Sequence, residues 1–244
     1  MRYLKHALAL ALLSSGTSVS AQEAVADHWQ WSGVGYFWGA SIGGTSATGS
    51  DVDVGIDTLL DNLNFGAMGT IKTQKDKLSF FADVVYLNVG EKDSTNSPVP
   101  ISVDAQLKGL ISTLGAGYQF YDQSGTTLEV LGGARLLKFE PDISVNVAGD
   151  KIKLDSSDPN WDAIVGLRGT TDLNEDWYLS YLVDVGAGDS DFTYQAMVGV
   201  NYRLKNADIA AGYRYMSWDF GNDVYTGFED INLSGFYLGV RFDL

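Results

Sequence analysis

Beyond residue 30 the chain alternates apolar and polar positions with a period of two. The stretch near 190–204 is clearest. Phe192, Tyr194, Ala196, Val198, Val200, Tyr202 and Leu204 share one face, and Asp191, Thr193, Gln195, Met197, Gly199, Asn201 and Arg203 share the other. Side chains on a strand point to opposite sides at successive residues, so this periodicity predicts β-strands, each with one apolar face. Ten segments carry it, near 31–46, 63–74, 77–90, 101–121, 126–139, 160–172, 176–186, 190–204, 208–218 and 229–243. Eight and twelve are the alternative counts.

The connections alternate in length. Those after the second, fourth, sixth and eighth strands are tight (Gln74-Lys75-Asp76, Asp122 to Gly125, Leu173 to Asp176, Lys205 to Ala207), whereas those after the first, third, fifth and ninth are long and polar. Ala187 to Asp189, after the seventh, breaks the rhythm. Short turns on one rim and long loops on the other are expected of a bacterial membrane barrel, and a soluble sandwich has no reason to show them. Pro98, Pro100, Pro141 and Pro159 fall in or beside the predicted loops, as a residue without a backbone N–H should.

Arg2 and Lys5, an apolar run from Ala7 to Leu13 and small residues up to Val19-Ser20-Ala21 make residues 1–21 a secretory signal. The apolar run is far short of the roughly 20 residues needed to span a bilayer. Residues 22–244 then form one domain. Losing Arg2 and Lys5 from 16 basic residues, against 31 acidic ones, deepens the net charge from −15 to −17. That charge repels phosphate and argues against a nucleic-acid partner. With Cys 0, neither a disulfide nor a lipid-modified cysteine can form.

No stretch past the signal can cross a bilayer as a helix, so a membrane location requires a closed sheet. Arginine placement decides which face is lipid. Arg135, Arg168, Arg203, Arg214 and Arg241 each sit mid-strand on the face opposite the apolar one, together with Asp83, Glu129, Asp162 and Asp184. Lipid-facing arginine at mid-depth would cost about 2–4 kcal/mol, so these groups are expected to line a lumen. Gly133, Gly166, Gly199, Gly212 and Gly239 lie on the same face and leave room for large neighbours. On the apolar face, Tyr118, Phe120, Trp177, Tyr202 and Phe242 fall near the short turns. Tyr86, Trp161, Phe192, Tyr194, Tyr213 and Tyr215 fall toward the long loops, completing two aromatic girdles. The predicted fold is all-β: a closed, antiparallel, up-and-down transmembrane barrel of about ten strands, with a short helix in its first long loop.

Trp161 to Arg168, Gly212-Tyr-Arg-Tyr215 with Trp218-Asp-Phe220, and Ser234 to Phe242 resemble small Gram-negative outer-membrane β-barrel proteins, a family of largely uncharacterised members. The resemblance implies location in the bacterial outer membrane, amid its lipid and lipopolysaccharide. It also implies insertion by the barrel assembly machinery, whose signal is matched by Tyr237, Gly239, Phe242 and Leu244. This signal ends in Leu where the family usually ends in Phe or Trp.

Little points to catalysis. The mature chain has one histidine, His28, ahead of the first strand and without a triad's context. Zinc chemistry is not expected, and Asp51, Asp53 and Asp57 lack the spacing of a calcium loop. No catalytic, cofactor or metal residues are therefore expected. Two features remain. Ile56, Leu59, Leu60 and Leu63 recur at helical spacing and predict an amphipathic helix covering or entering the barrel mouth. The charged lumen residues Asp83, Glu129, Arg135, Asp162, Arg168, Asp184, Arg203, Arg214 and Arg241 form either a structural ion-pair network or the lining of a narrow pore. The first reading is a monomeric, non-enzymatic barrel with a structural or surface-interaction role. The alternatives are a narrow channel or carrier for a small solute, and a soluble exported barrel binding an apolar ligand.

Overall fold

The computed structural model describes residues 28–95, 101–147, 150–155, 158–221, 225 and 227–244. The expected signal, residues 1–21, lies outside them. The elements are β1 (Gln30–Ser46), β2 (Asp51–Val54), α1 (Ile56–Asp61), β3 (Leu63–Lys75), β4 (Leu78–Thr95), β5 (Ile101–Gln123), β6 (Thr126–Val147), β7 (Asp150–Asp155), β8 (Asn160–Asp172), β9 (Trp177–Gly188), β10 (Phe192–Arg203), β11 (Asp208–Asp219) and β12 (Phe228–Asp243). Neighbours in the wall pair antiparallel, and β12 returns to β1 from Ser32↔Asp243 to Ser46↔Phe228, which closes the sheet. Ten strands form the wall. The short β2 and β7 are additions, paired with β1 and β6 outside the circuit.

The alternation lies as the arginines predict. Along β10 the apolar positions Phe192, Tyr194, Ala196, Val198 and Val200 are exposed, while Thr193, Gln195 and Asn201 between them are buried. On β12, Phe236 is 76 % exposed. An exposed apolar band around a polar interior is stable only against hydrocarbon, which excludes the soluble barrel with an apolar ligand inside. Rings ride the outside near both rims: Trp177 on Tyr202 (4.8 Å between centroids) at the short-turn end, and Tyr194 on Tyr215 (5.4 Å) toward the other. The turn between β5 and β6 carries the backbone that a two-residue hairpin needs. Ser124 and Gly125 both take positive φ (54° and 72°), as in a type I′ turn.

Two expectations are corrected. The connection between β4 and β5 is not a long loop, because the ladder continues to Thr95↔Ile101. The run Glu91-Lys-Asp-Ser-Thr95 is polar throughout and shows no alternation, so nothing in it signals a strand. Pro141 is not in a loop but inside β6, opposite Leu107. It falls between the stretch of β6 paired with β8, which ends at Leu137, and the stretch paired with β7, which begins at Asp142. There β6 has a neighbour on one side only, so the missing N–H is tolerated.

Candidate functional site

Three layers fill the bore. The middle layer is a hydrogen-bonded chain that crosses it. Arg214 on β11 gives Nη2 to Asp83 Oδ1 on β4 (2.9 Å), Nη1 to the Tyr36 hydroxyl on β1 (2.9 Å) and Nε to Gln195 Oε1 on β10 (2.7 Å). The Tyr36 hydroxyl and Thr70 Oγ1 each donate to Asp83 Oδ2 at 2.7 Å. Gln195 Nε2 passes the chain to Asp184 Oδ2 (2.8 Å), which Arg135 Nη2 holds by both oxygens (2.7 and 2.8 Å). Arg135 is 0 % exposed, and Asp83, Asp184 and Arg214 are also buried. Buried charges persist only when paired and hydrogen-bonded, and each of these four has its counter-charge within 3 Å. Arg214 also stacks over the Trp38 ring at 5.0 Å.

Toward the short turns, Glu129 lies between two cations. Lys72 Nζ reaches Oε2 and Arg168 Nη2 reaches Oε1, both at 3.0 Å, and Ser79 Oγ donates to Oε1. The Arg168 guanidinium lies 4.5 Å over the Phe81 ring. Below the middle layer is a cavity of about 530 Å³ that opens toward the short-turn rim. Lys72, which the sequence reading missed, faces this cavity; its parity with Thr70 and Gln74 on β3 was the available signal.

Three network candidates belong elsewhere. Arg203 is the last residue of β10 and half exposed; it ties Asp172 and the carbonyls of Asn174 (3.5 Å) and Glu175 (3.2 Å) into the adjacent turn. Arg241, also at the rim, pairs with Asp208 (3.6 Å) and Asp243 (2.9 Å). Both lie within a residue or two of a strand end rather than mid-strand, so water reaches them. Asp162 is buried at the opposite end, but its partners are Asn160 Nδ2 (3.0 Å), the Ser190 N–H (2.9 Å) and Ser190 Oγ (3.0 Å) rather than an arginine.

The third layer, toward the long-loop rim, is apolar. Trp38, Val85, Ile111, Leu137, Met216, Trp218 and their neighbours form one buried cluster inside the barrel. Phe220 and Tyr225, beyond β11, pack on it. Phe220 is buried there and stacks on Tyr225 (5.0 Å), whose hydroxyl donates to the Asp158 carbonyl (2.9 Å) on the far rim and accepts the Phe139 N–H (3.3 Å). Burial raises the Tyr225 phenol above its ordinary pKa.

Helix α1 sits against the wall and reaches the interior through Leu59. Pairing of β1 with β3 stops at Gly35↔Gly69, and higher up the Trp38 N–H finds the Met68 sulfur (3.1 Å) in place of a carbonyl. The helix sits beside this break. Ile56 lies 3.5 Å from where a Cβ on Gly39 would point, on the outward side, and Leu59 lines a small apolar space inside with Trp38 and Val85. Leu60 is exposed, and Leu63 is already the first residue of β3. The helix ends at Asp61 because Leu63 already pairs with Val89 as the start of β3, and Asp51–Val54 ahead of it pairs with β1 as a strand.

The C-terminal segment runs along the closing seam. Phe242 and Leu244 are exposed on the lipid side, Tyr237 points inward, and the Leu244 N–H bonds the Trp31 carbonyl at 2.8 Å. His28 is exposed ahead of β1. Among the described residues no group of three or more His, Cys, Asp or Glu is arranged to hold a metal, and this includes Asp51, Asp53 and Asp57.

A closed antiparallel wall, an apolar exterior between two aromatic girdles and a charged, hydrogen-bonded interior define an outer-membrane β-barrel, and the chain is one. No family model and no curated protein sequence matches it. Solved structures with the same kind of wall include the translocator domain of the autotransporter NalP from Neisseria meningitidis (14% identity, TM-score 0.45, 88% of each chain covered). They also include Ail, the attachment invasion locus protein of Yersinia pestis, in complex with a heparin analogue (13% identity, TM-score 0.39, 88% of this chain and 98% of that one). The toluene transporter TodX of P. putida is a third (11% identity, TM-score 0.30, 89% and 90%). At these values the likeness carries nothing about cargo or partner.

Proposed function

We propose that the barrel is non-enzymatic, closed to solute flow, and acts at the cell surface through the wall segment that projects beyond the membrane. One observation carries this reading: the bore is interrupted twice, by the Asp83–Arg214–Gln195–Asp184–Arg135 layer and by the apolar core above it. Strand lengths support the surface role. β9, β10 and β11 have 12 residues each, close to the ~9–11 that cross a bilayer. β4, β5 and β6 have 18, 23 and 22, and continue past the hydrocarbon as a sheet edged by β7.

Reconstitution in planar bilayers tests the closed bore. The expected trace has no discrete conductance steps, and regular single-channel openings would overturn it. Topology is checked on cells. An epitope inserted between residues 97 and 98, in the β4–β5 connection, should be labelled by antibody on intact cells. Labelling only after the outer membrane is permeabilised would reverse the orientation and remove the surface role.

A further inference from the structure

The charges lining the blind cavity below the middle layer are unevenly distributed along it. Its roof is neutral, because Arg214 is matched by Asp83, and Asp184 by Arg135. At the mouth Arg241 is shared between Asp208 and Asp243, and Asp122 is exposed to water, accepting from Gln119 Nε2 (2.7 Å). In between, a single carboxylate, Glu129, serves both Lys72 and Arg168. That triad carries one surplus positive charge inside a chain whose net charge is −15. It is half sheltered from water, since the Lys72 and Arg168 side chains are 27% and 19% exposed. A cation held there, away from bulk screening, attracts an anion more strongly than one on the surface.

The wall next to the triad is greasy. Phe81, Leu131, Ile164 and Leu182 form a buried apolar cluster with Met197 against it, and all five line the cavity. A volume of about 530 Å³ lies within the range of small-molecule sites. Apolar lining with a few fixed polar groups is the make-up such sites share.

We propose that this vestibule binds a small organic carboxylate entering from the periplasmic side, its anionic group on Lys72 and Arg168 and its compact apolar body against Phe81, Leu131 and Leu182. Arg168 is pre-positioned by its stacking on Phe81, and Lys72 by its contact with Glu129 Oε2. Because the bore is blocked above, the ligand leaves by the route it entered.

Calorimetric titration of the full barrel in lipid nanodiscs tests this, with benzoate as the probe and benzylamine and acetate as comparisons. Benzoate should bind saturably at one site, benzylamine should not bind, and acetate should bind more weakly than benzoate. Lys72→Gln removes a charge-assisted hydrogen bond and should weaken benzoate about tenfold. Glu129→Gln doubles the surplus charge and should tighten it. Both variants are compared after the folded gel mobility of each has been verified. Absence of saturable benzoate binding, equal binding of benzylamine or acetate, or an affinity unmoved by both substitutions would each overturn the proposal.

Discussion

Replacing Arg214 by methionine should destabilise the folded barrel by about 3–5 kcal/mol, the range for removing one member of a buried ion pair. The loss has a specific origin. Methionine leaves Asp83 buried with only Tyr36 and Thr70 as donors, and strands Gln195 Oε1 without its guanidinium partner. Adding Asp83→Asn removes the orphaned charge, so the double variant should be more stable than Arg214→Met alone. Urea titration of the purified barrel in detergent, followed by heat-modifiable gel migration, measures both. Equal midpoints for wild type and Arg214→Met would show that the layer across the bore contributes nothing to the fold. Because Arg214 on β11 and Asp83 on β4 tie opposite walls, the same variant should also speed proteolysis of the short turns.

Valine at Gly212 should prevent the barrel from forming, whereas valine at Gly199 should be correctable. Both glycines sit beneath the inward-pointing Tyr237. A Cβ at Gly199 would collide with the Tyr237 hydroxyl, the far end of a side chain that can move. A Cβ at Gly212 would meet that hydroxyl at 2.6 Å and also the Val198 backbone carbonyl, which cannot move without breaking the β10–β11 register. Overpacking costs about 1–3 kcal/mol where side chains can yield, and more where the backbone must. Tyr237→Ala should therefore restore folded gel mobility to Gly199→Val and leave Gly212→Val unfolded. Rescue of both would mean that the glycines serve only to accommodate the tyrosine. Rescue of neither would mean that the strands themselves require them.

The lumen residues Asp83, Glu129, Arg135, Arg168, Asp184 and Arg214 were legible one at a time, because the face a side chain takes depends only on its parity along its own strand. Their partners were not legible. Asp83 meets Arg214 across 131 positions of sequence, and Arg135 meets Asp184 across 49. These distances depend on how many strands close the circuit and on the register of each. The apolar upper core was missed for a different reason. Met216, Trp218, Ile231 and Leu233 occupy lumen-facing positions, so the lumen face changes from polar to apolar part-way up the strands. A strand's parity fixes which residues face the lumen but not where the lumen turns apolar. Arg203 and Arg241 show the converse: parity gives the face but not the depth, and depth decides whether a charge is buried or wet.

The sequence alone determined the ten alternating strands of the wall, the closed architecture and the outward direction of the apolar face, since each follows from local alternation and from the expense of a guanidinium in hydrocarbon; β2, β7 and the extension of β4 to Thr95 did not show in it. The tertiary structure decided the interior: a polar vestibule, a transverse ion-pair layer, an apolar stopper, and a helix beside the break between β1 and β3. Those depend on side chains brought together from distant strands, and contacts of that kind have no periodicity for a single chain to display.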